Sequence, residues 1–295
     1  MSILEKVKEV FITEDRKDES ENKTDVNVVK SEMEKSESLE SAEKVEEATT
    51  TSINTEPSSE KVRKIVKVCK MGSDHNFANI NNHDFAFNLL NMKVVTDGCG
   101  SGKHSEVGTR IFGQLFARKV KEYHDKGETI NESNFISVVD GIFKQMLNLC
   151  SDNSFIFENY CFTILVCFEF ENEFVVYSCG DGYIIKENSD GITFEQLDDG
   201  EYPCYYVYNF IEDKSCLVEY KDGVTFKITR FNKEEYLNVG VATDGLRFYE
   251  NLSNDVEKRK FIEFLQEGKG PQIEKLINKN NRKNEMFHDD ISICF

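Results

Sequence analysis

The sequence lacks the features that would place it in a membrane or an oxidising compartment. It has no uninterrupted apolar run of about 18 residues, which a transmembrane helix needs. Residues 1–6 lack the apolar core of a signal peptide. The nine cysteines are odd in number and contain no C-x-x-C pair, so neither a disulfide framework nor a zinc site is favoured. These absences predict a reduced, cytoplasmic protein without a membrane anchor.

Positive charge is also scarce. The chain has 36 Lys and Arg residues against 54 Asp and Glu residues, a formal net charge of −18. Proteins that bind nucleic acids generally present basic patches, and anionic membranes attract basic segments. The charge balance therefore argues against both kinds of partner.

Aromatic residues are nearly absent from the first fifth of the chain. None occurs between Phe11 and Phe77, and residues 1–60 contain 17 acidic and 8 basic side chains, so they carry −9, half of the total. Such a segment cannot bury enough apolar surface to offset the entropy lost on ordering. We predict an acidic disordered tail at 1–62 and a folded domain at 63–295. The first dozen residues are either a docking peptide or a frayed end, and both alternatives stay open.

Hydrophobic periodicity in the remainder changes from strands to helices and back. The order predicted is strands, two helices, many strands, further helices and a last strand, with hairpins near Asn91 and Asn172. This order is not a regular β-α-β alternation, so it predicts an α+β fold with antiparallel sheets and helices on their outer faces. The predicted strands are 65–68, 84–90, 92–96, 162–170, 174–179, 183–185, 205–208, 216–219, 224–229, 239–243 and 291–295, and the predicted helices are 107–120, 135–150, 255–266 and 271–278.

Three Asp-Gly pairs end apolar runs. The pair Asp97-Gly98 ends the segment VVTDG, Asp181-Gly182 ends VVYSCGDG, and Asp244-Gly245 ends VGVATDG. Asp-Gly is commonly only a turn signal, and that interpretation stands for the pairs that follow polar residues. Those pairs begin at Asp190, Asp199 and Asp222.

Further carboxylates lie beside predicted strands. Asp84 precedes an early strand, and Asp289 and Asp290 precede the last one. Carboxylates at strand ends can meet on one rim, where they would repel one another unless a cation lies between them. Oxygen ligands suit magnesium or manganese, and less specifically calcium. The sequence therefore predicts a metal site built from strand-end aspartates.

Five short motifs occur in an order that resembles a known family. They are GSDH followed by NHD at 72–84, VVTDGCGSG at 94–102, CGDG at 179–182, VATDGL at 241–246 and DDISI at 289–293. Together they resemble the type 2C (PPM-type) metal-dependent serine/threonine protein phosphatases in their compact bacterial-style form, over residues 64–295. The resemblance implies a four-layer αββα sandwich, with two antiparallel sheets flanked by helices.

The resemblance also implies a set of ligands for two Mn²⁺ or Mg²⁺ ions, with a third in some members. Asp97 would bridge two ions, and the Gly98 carbonyl would contact one of them. Asp244 and Asp289 would bind directly. The remaining implied ligands are Asp84, directly or through water, and Asp181 at the third site.

Some positions depart from the family pattern. Asn79 stands where many members have an arginine that binds the substrate phosphate, and His75 is the candidate to contact phosphate or protonate the leaving group instead. A structural hydrogen bond is the alternative role for His75. Cys99 replaces a histidine of the eukaryotic members, Phe248 replaces a partner of the third metal, and Asp290 stands where an asparagine is common.

The implied activity is hydrolysis of phosphoserine and phosphothreonine monoesters in proteins by a metal-activated water, opposing a serine/threonine kinase. The expected state is a monomer. The alternative is a catalytically weak or inactive binding module on the same fold.

Overall fold

The computed structural model describes residues 65–197, 204–212, 214–215, 217–252 and 254–295. The predicted tail at 1–62 lies outside the described residues. Within them, the chain forms two five-stranded antiparallel sheets, and no helix there is long and apolar enough to cross a membrane. The strands are β1 Lys67–Lys70, β2 Phe85–Leu89, β3 Met92–Gly98, β4 Phe162–Glu169, β5 Glu173–Cys179, β6 Gly182–Asn188, β7 Gly191–Leu197, β8 Lys227–Asn232, β9 Asn238–Ala242 and β10 Ile291–Cys294.

One sheet has the strand order β1-β10-β9-β6-β7 and the other β2-β3-β4-β5-β8. The hairpins predicted near Asn91 and Asn172 join β2 to β3 and β4 to β5. Asp190 lies in the turn between β6 and β7, as its polar neighbours predicted. In each sheet, hydrogen-bonded neighbours run antiparallel, which permits these short connections.

The central strands of the second sheet, β3, β4 and β5, are buried on both faces because they are apolar at successive positions. Side chains alternate between the faces of a strand. Val94 and Val166 therefore pack on the helix side, whereas Val95 and Leu165 belong to the core shared with the first sheet. That shared core also contains Val241 of β9, so the two sheets pack face to face.

Helices cover the two outer faces. Phe112, Phe143 and Phe162 share one cluster, which joins two long helices to the outer face of the second sheet. Phe261, Ile277 and Ile293, among others, form the cluster on the opposite side. The predicted four-layer αββα sandwich is confirmed. The helices are α1 Ser73–Ala78, α2 Ser105–Asp125, α3 Phe135–Leu149, α4 Asn153–Asn159, α5 Asp255–Gln266 and α6 Gly270–Asn284, and 3₁₀ helices occur at Tyr206–Phe210, Val218–Tyr220 and Asp244–Asn251.

The strands predicted at 205–208 and 216–219 are wrong. The described residues there form 3₁₀ helices, and Cys216 lies outside the described part of the chain. Tyr206, Val207 and Tyr208 are all buried in the cluster beneath α3, without the alternation that a strand with one exposed face would show. Aromatic and β-branched residues favour strands only where a partner strand is available. The sequence also failed to predict β7, α1 and α4.

Glycine is required where α2 approaches α4. A Cβ atom at Gly108 would lie 2.1 Å from the Asn159 carbonyl oxygen, whereas one at Gly141 in α3 would meet nothing within 4 Å. We expect Gly108→Ala to lower the free energy of unfolding by about 2 kcal/mol or more through overpacking. Gly141→Ala should raise it by about 0.5–1 kcal/mol, because alanine is the better helix former. Urea denaturation of both variants measures the difference, and equal effects would contradict this packing.

Candidate metal centre

Asp97 lies at the end of β3, at one rim of the second sheet. Its neighbour in register on β4 is Thr163. A Cβ atom at Gly98 would lie 2.6 Å from Ser105 Oγ and 3.0 Å from the His83 carbonyl oxygen, so only glycine fits there. The Ser105 hydroxyl donates to the Cys99 carbonyl at 3.0 Å, at the point where α2 begins. The strand end, glycine turn and helix start predicted around Asp97 are therefore all present.

Asp84 lies immediately before β2 and is almost fully buried, with 2% of its surface exposed. The Thr243 hydroxyl of the opposite sheet donates to Asp84 Oδ2 at 2.7 Å. Asp84 Oδ1, in contrast, receives no hydrogen bond from any described donor although it is buried. A buried carboxylate oxygen without a partner is costly, so this oxygen has the capacity to accept a ligand.

Asp244 and Asp289 come from the first sheet. Asp244 begins the 3₁₀ helix that follows β9, and Asp289 precedes β10 by two residues. The two segments are in close contact, since a Cβ atom at Gly245 would lie 1.8 Å from the Asp290 carbonyl oxygen. Arg247 Nη1 lies 2.7 Å from Asp244 Oδ2, and its Nη2 lies 3.0 Å from Asp289 Oδ2. Sequence reasoning missed this arginine, although its position three residues after Asp244 was a signal for an ion pair.

The aspartates at this rim disfavour one another's ionised forms. Burial raises the pKa of Asp97 well above its usual range, and the charges of Asp84 and Asp244 raise it further. Burial likewise raises the pKa of Asp244 to about 6, together with the charge of Asp289 and against the opposing effect of Arg247. These carboxylates therefore interact with one another, as their position at strand ends predicted.

Asp181 joins the same rim from the turn between β5 and β6. Its charge raises the pKa of both Asp97 and Asp244. Gly180 has φ +102° and a Cβ there would lie 2.5 Å from the Thr163 side chain, so the turn needs glycine for its conformation and for space. Asp181 is exposed, unlike Asp84.

Asp290 holds the segments beside this group, and after burial its charge is the next cause that raises the pKa of Asp84. Its Oδ1 accepts from the Gly72 amide at 2.8 Å, and its Oδ2 accepts from the His83 amide at 2.6 Å. His75 Nδ1 lies 2.8 Å from the same Oδ2, and this hydrogen bond raises the pKa of the His75 imidazole. The short helix α1 that carries His75 was not predicted.

The positions that depart from the family pattern have local structural reasons. Asn79 ends α1 with φ 55° and ψ 39°, a left-handed conformation that asparagine tolerates better than most residues. Cys99 Sγ lies 3.1 Å from Ser101 Oγ within the turn. The Phe248 ring packs 5.5 Å from the His288 ring, between ring centroids, so it supplies packing and no ligand atom.

The donor set fits a hard divalent cation. It consists of carboxylate oxygens, one of them buried and without a hydrogen-bond donor, and these atoms suit magnesium or manganese better than zinc. In the described part of the chain, no three His, Cys, Asp or Glu side chains are close enough together to hold a metal ion. Arg247 instead holds two of the aspartates.

The raised pKa values predict how stability depends on pH in protein stripped of metal. A carboxyl whose folded pKa is raised contributes stability at low pH, and this contribution is lost as the pH rises through the folded value, about 6 for Asp244. Unfolding of EDTA-treated protein should therefore become easier between about pH 4 and pH 7. Asp97→Asn removes one of the repelling charges, so at pH 7 it should raise the free energy of unfolding by about 1–2 kcal/mol and flatten the pH dependence.

Asp190→Asn is the matched control, because Asp190 is exposed in a hairpin turn. It should leave the pH dependence of unfolding unchanged. If Asp97→Asn behaves like this control, the carboxylates at the rim do not repel one another as described.

Comparison with known proteins supports the fold. A search of curated proteins found no match. Three solved structures share the fold: a bacterial serine phosphatase (16% identity, TM-score 0.53, covering 79% of this chain and 96% of that one), the serine/threonine phosphatase Stp1 from Staphylococcus aureus (15%, 0.52, 82% and 97%), and the catalytic domain of the serine/threonine phosphatase PstP in complex with two manganese ions (11%, 0.50, 78% and 96%).

The family assignment comes from the sequence match. The family model described as "Protein phosphatase 2C" matches residues 71–276, which is well over half of the 295 residues and spans four of the five motifs. The two antiparallel sheets with helices on their outer faces have the architecture of the solved phosphatases. This chain therefore belongs to the protein phosphatase 2C family.

Proposed function

We propose that the protein is a metal-dependent phosphatase that hydrolyses phosphoserine and phosphothreonine monoesters in proteins. The observation that carries the proposal is the rim itself, where both sheets contribute interacting aspartates and where Asp84 Oδ1 is buried without a hydrogen-bond donor among the described residues. Among oxygen-binding cations, Mn²⁺ and Mg²⁺ suit this donor set. The two manganese ions in PstP, a protein of the same fold, support this choice.

Each residue at the rim has a proposed role. Asp97 would be a ligand of both ions, and the Gly98 carbonyl would contact one of them. Asp244 and Asp289, from the first sheet, would be the other direct carboxylate ligands. Asp84 would bind through Oδ1, while Thr243 keeps its other oxygen occupied. Asp181, at the edge of the group, would serve a third ion.

The bound ions would lower the pKa of a ligand water and offset the charge that develops on the phosphate. The protein's own contribution is to hold the carboxylates in place and to supply a proton. His75 is the residue proposed for the proton, because its hydrogen bond to Asp290 both fixes the ring and raises its pKa. A protonated imidazole can donate to a phosphate oxygen or to the leaving alkoxide. Asn79, which is exposed near His75, is proposed to face the substrate phosphate as a neutral group.

The wider setting is part of the same proposal. A phosphorylated protein is the substrate, and a serine/threonine kinase supplies it. We further propose a cytoplasmic monomer whose catalytic domain spans 63–295 and is preceded by the acidic segment at 1–62. The net charge of −18 supports a protein substrate over a nucleic acid.

A second candidate is a catalytically weak or inactive binding module. It is favoured by the neutral Asn79 and by Arg247, which forms ion pairs with two of the proposed ligands. Metal binding without turnover would select this candidate over the phosphatase.

Turnover with manganese tests the proposal most directly. The wild type should hydrolyse an aryl phosphate and a phosphoserine peptide, and Asp97→Asn should lower kcat/KM by at least about a hundredfold because a shared metal ligand is lost. Asp190→Asn should match the wild type. A manganese-loaded wild type without activity on either substrate would refute the phosphatase, as would an Asp97→Asn variant of unchanged rate.

His75→Gln tests the proposed proton donor. It should lower kcat by about a hundredfold, and the ratio of wild-type to variant rates should fall as the pH rises through the His75 pKa, which lies above its ordinary value of 6.5. His124→Gln is the control, since His124 is exposed in the last turn of α2. A ratio that does not change with pH would mean that the His75 proton takes no part in turnover.

A further inference from the structure

Arg247 is placed across the two aspartates that the first sheet contributes to the rim. It lies in the 3₁₀ helix Asp244–Asn251, three residues after Asp244. One guanidinium nitrogen, Nη1, is 2.7 Å from Asp244 Oδ2, and the other, Nη2, is 3.0 Å from Asp289 Oδ2. A planar fork of donors suits this bridging geometry better than a single ammonium group would.

Arg247 and a backbone amide contact different oxygens of Asp289. Asp289 Oδ1 accepts the backbone amide of Asp290 at 3.0 Å. Its Oδ2 is paired with the Arg247 guanidinium. A divalent ion that used the same two oxygens as Arg247, Asp244 Oδ2 and Asp289 Oδ2, would have to replace the guanidinium as their positive partner.

The Phe248 ring and the two carboxylates hold the Arg247 guanidinium, but its solvent exposure allows it to dissociate from them. Its Cζ lies 4.8 Å from the centre of the Phe248 ring, which gives a cation–π contact. The Arg247 side chain is 49% exposed, and those of Asp244 and Asp289 are 19% and 38% exposed. Ion pairs this close to solvent are weak and exchange without unfolding of the protein. Arg247 can therefore swing into solvent when a stronger cation arrives.

We propose that Arg247 is an internal competitor of the metal: it occupies the cation position on Asp244 and Asp289 when no metal is bound, and metal loading displaces it. This inference rests on the proposed function, because it takes Asp244 and Asp289 as metal ligands. It assigns two effects to one side chain. Arg247 offsets carboxylate repulsion in the empty site, and it lowers the affinity of the filled one.

The rival interpretation is a structural ion pair that orders the ligands in advance. The two interpretations predict opposite signs. A structural pair prepares Asp244 and Asp289 for the metal, so its removal would weaken metal binding. A competitor must be displaced, so its removal strengthens binding even though the metal-free protein becomes less stable.

Isothermal titration of EDTA-treated protein with Mn²⁺ separates them. Arg247→Ala and Arg247→Gln should each bind Mn²⁺ about three- to tenfold more tightly than the wild type, the range set by the loss of two partly exposed ion pairs. Arg247→Lys should lie between, since an ammonium group cannot span both carboxylates as a fork. Urea denaturation without metal should show lower midpoints for the Ala and Gln variants.

Arg259→Ala is the matched control, because Arg259 is an exposed arginine on α5 that contacts the backbone of its own helix. It should leave Mn²⁺ affinity unchanged. Unchanged or weaker Mn²⁺ binding in Arg247→Ala and Arg247→Gln, with binding intact in the wild type and in Arg259→Ala, overturns the competitor alone. Absence of Mn²⁺ binding in every variant, the wild type included, overturns the proposed function and the competitor with it.

Discussion

Repulsion among carboxylates is the constraint on which the rest of this structure depends. Asp84 and Asp97 come from one sheet and Asp244 and Asp289 from the other, so packing the two sheets brings the charges together. Like charges in a partly buried site favour either protonation or a cation between them. Burial of the hydrophobic core between the sheets offsets the free-energy cost of this repulsion. A bound cation would reduce that cost. The packing of the two sheets and the charge of the site are therefore energetically coupled.

Hydrogen bonds between the sheets fix the positions of the carboxylates. The Thr243 hydroxyl donates to Asp84 across the interface and accepts from the Ser292 amide at 2.9 Å, so one side chain links β9, β10 and the start of β2. Asp290 ties the Gly72 and His83 amides to the beginning of β10. Buried charge-assisted bonds of this kind are strong and directional. They fix where each backbone segment lies, and therefore where the proposed ligands and His75 lie.

The sequence could predict the fold because its periodicities are local and largely consistent with the tertiary structure. The hairpins, the long helices α2 and α3, and the strand-end position of Asp97 all followed from patterns within a few residues. The 3₁₀ helix at Tyr206–Phe210 did not, because a buried apolar run has no period that separates a strand from a 3₁₀ segment. The contacts of Asp290, and the contact of Arg247 with Asp289, join residues whose proximity only the tertiary fold creates. The Asp-Gly pairs at strand ends therefore predict a carboxylate site, but they do not predict which positively charged group contacts it.

Binding at such a site is necessarily coupled to stability. Any ligand that binds the folded chain and not the unfolded one stabilises it by mass action, and here the ligand would also relieve the strain that raises the pKa of Asp97 and Asp244. Metal would thus act on the contact between the two sheets as well as on chemistry. Arg247 supplies a single positive charge to Asp244 and Asp289, whereas Asp84 Oδ1 has no hydrogen-bond partner in the described part of the chain. The guanidinium therefore neutralises only part of the rim, and full relief of the repulsion requires cations that reach the buried oxygen as well.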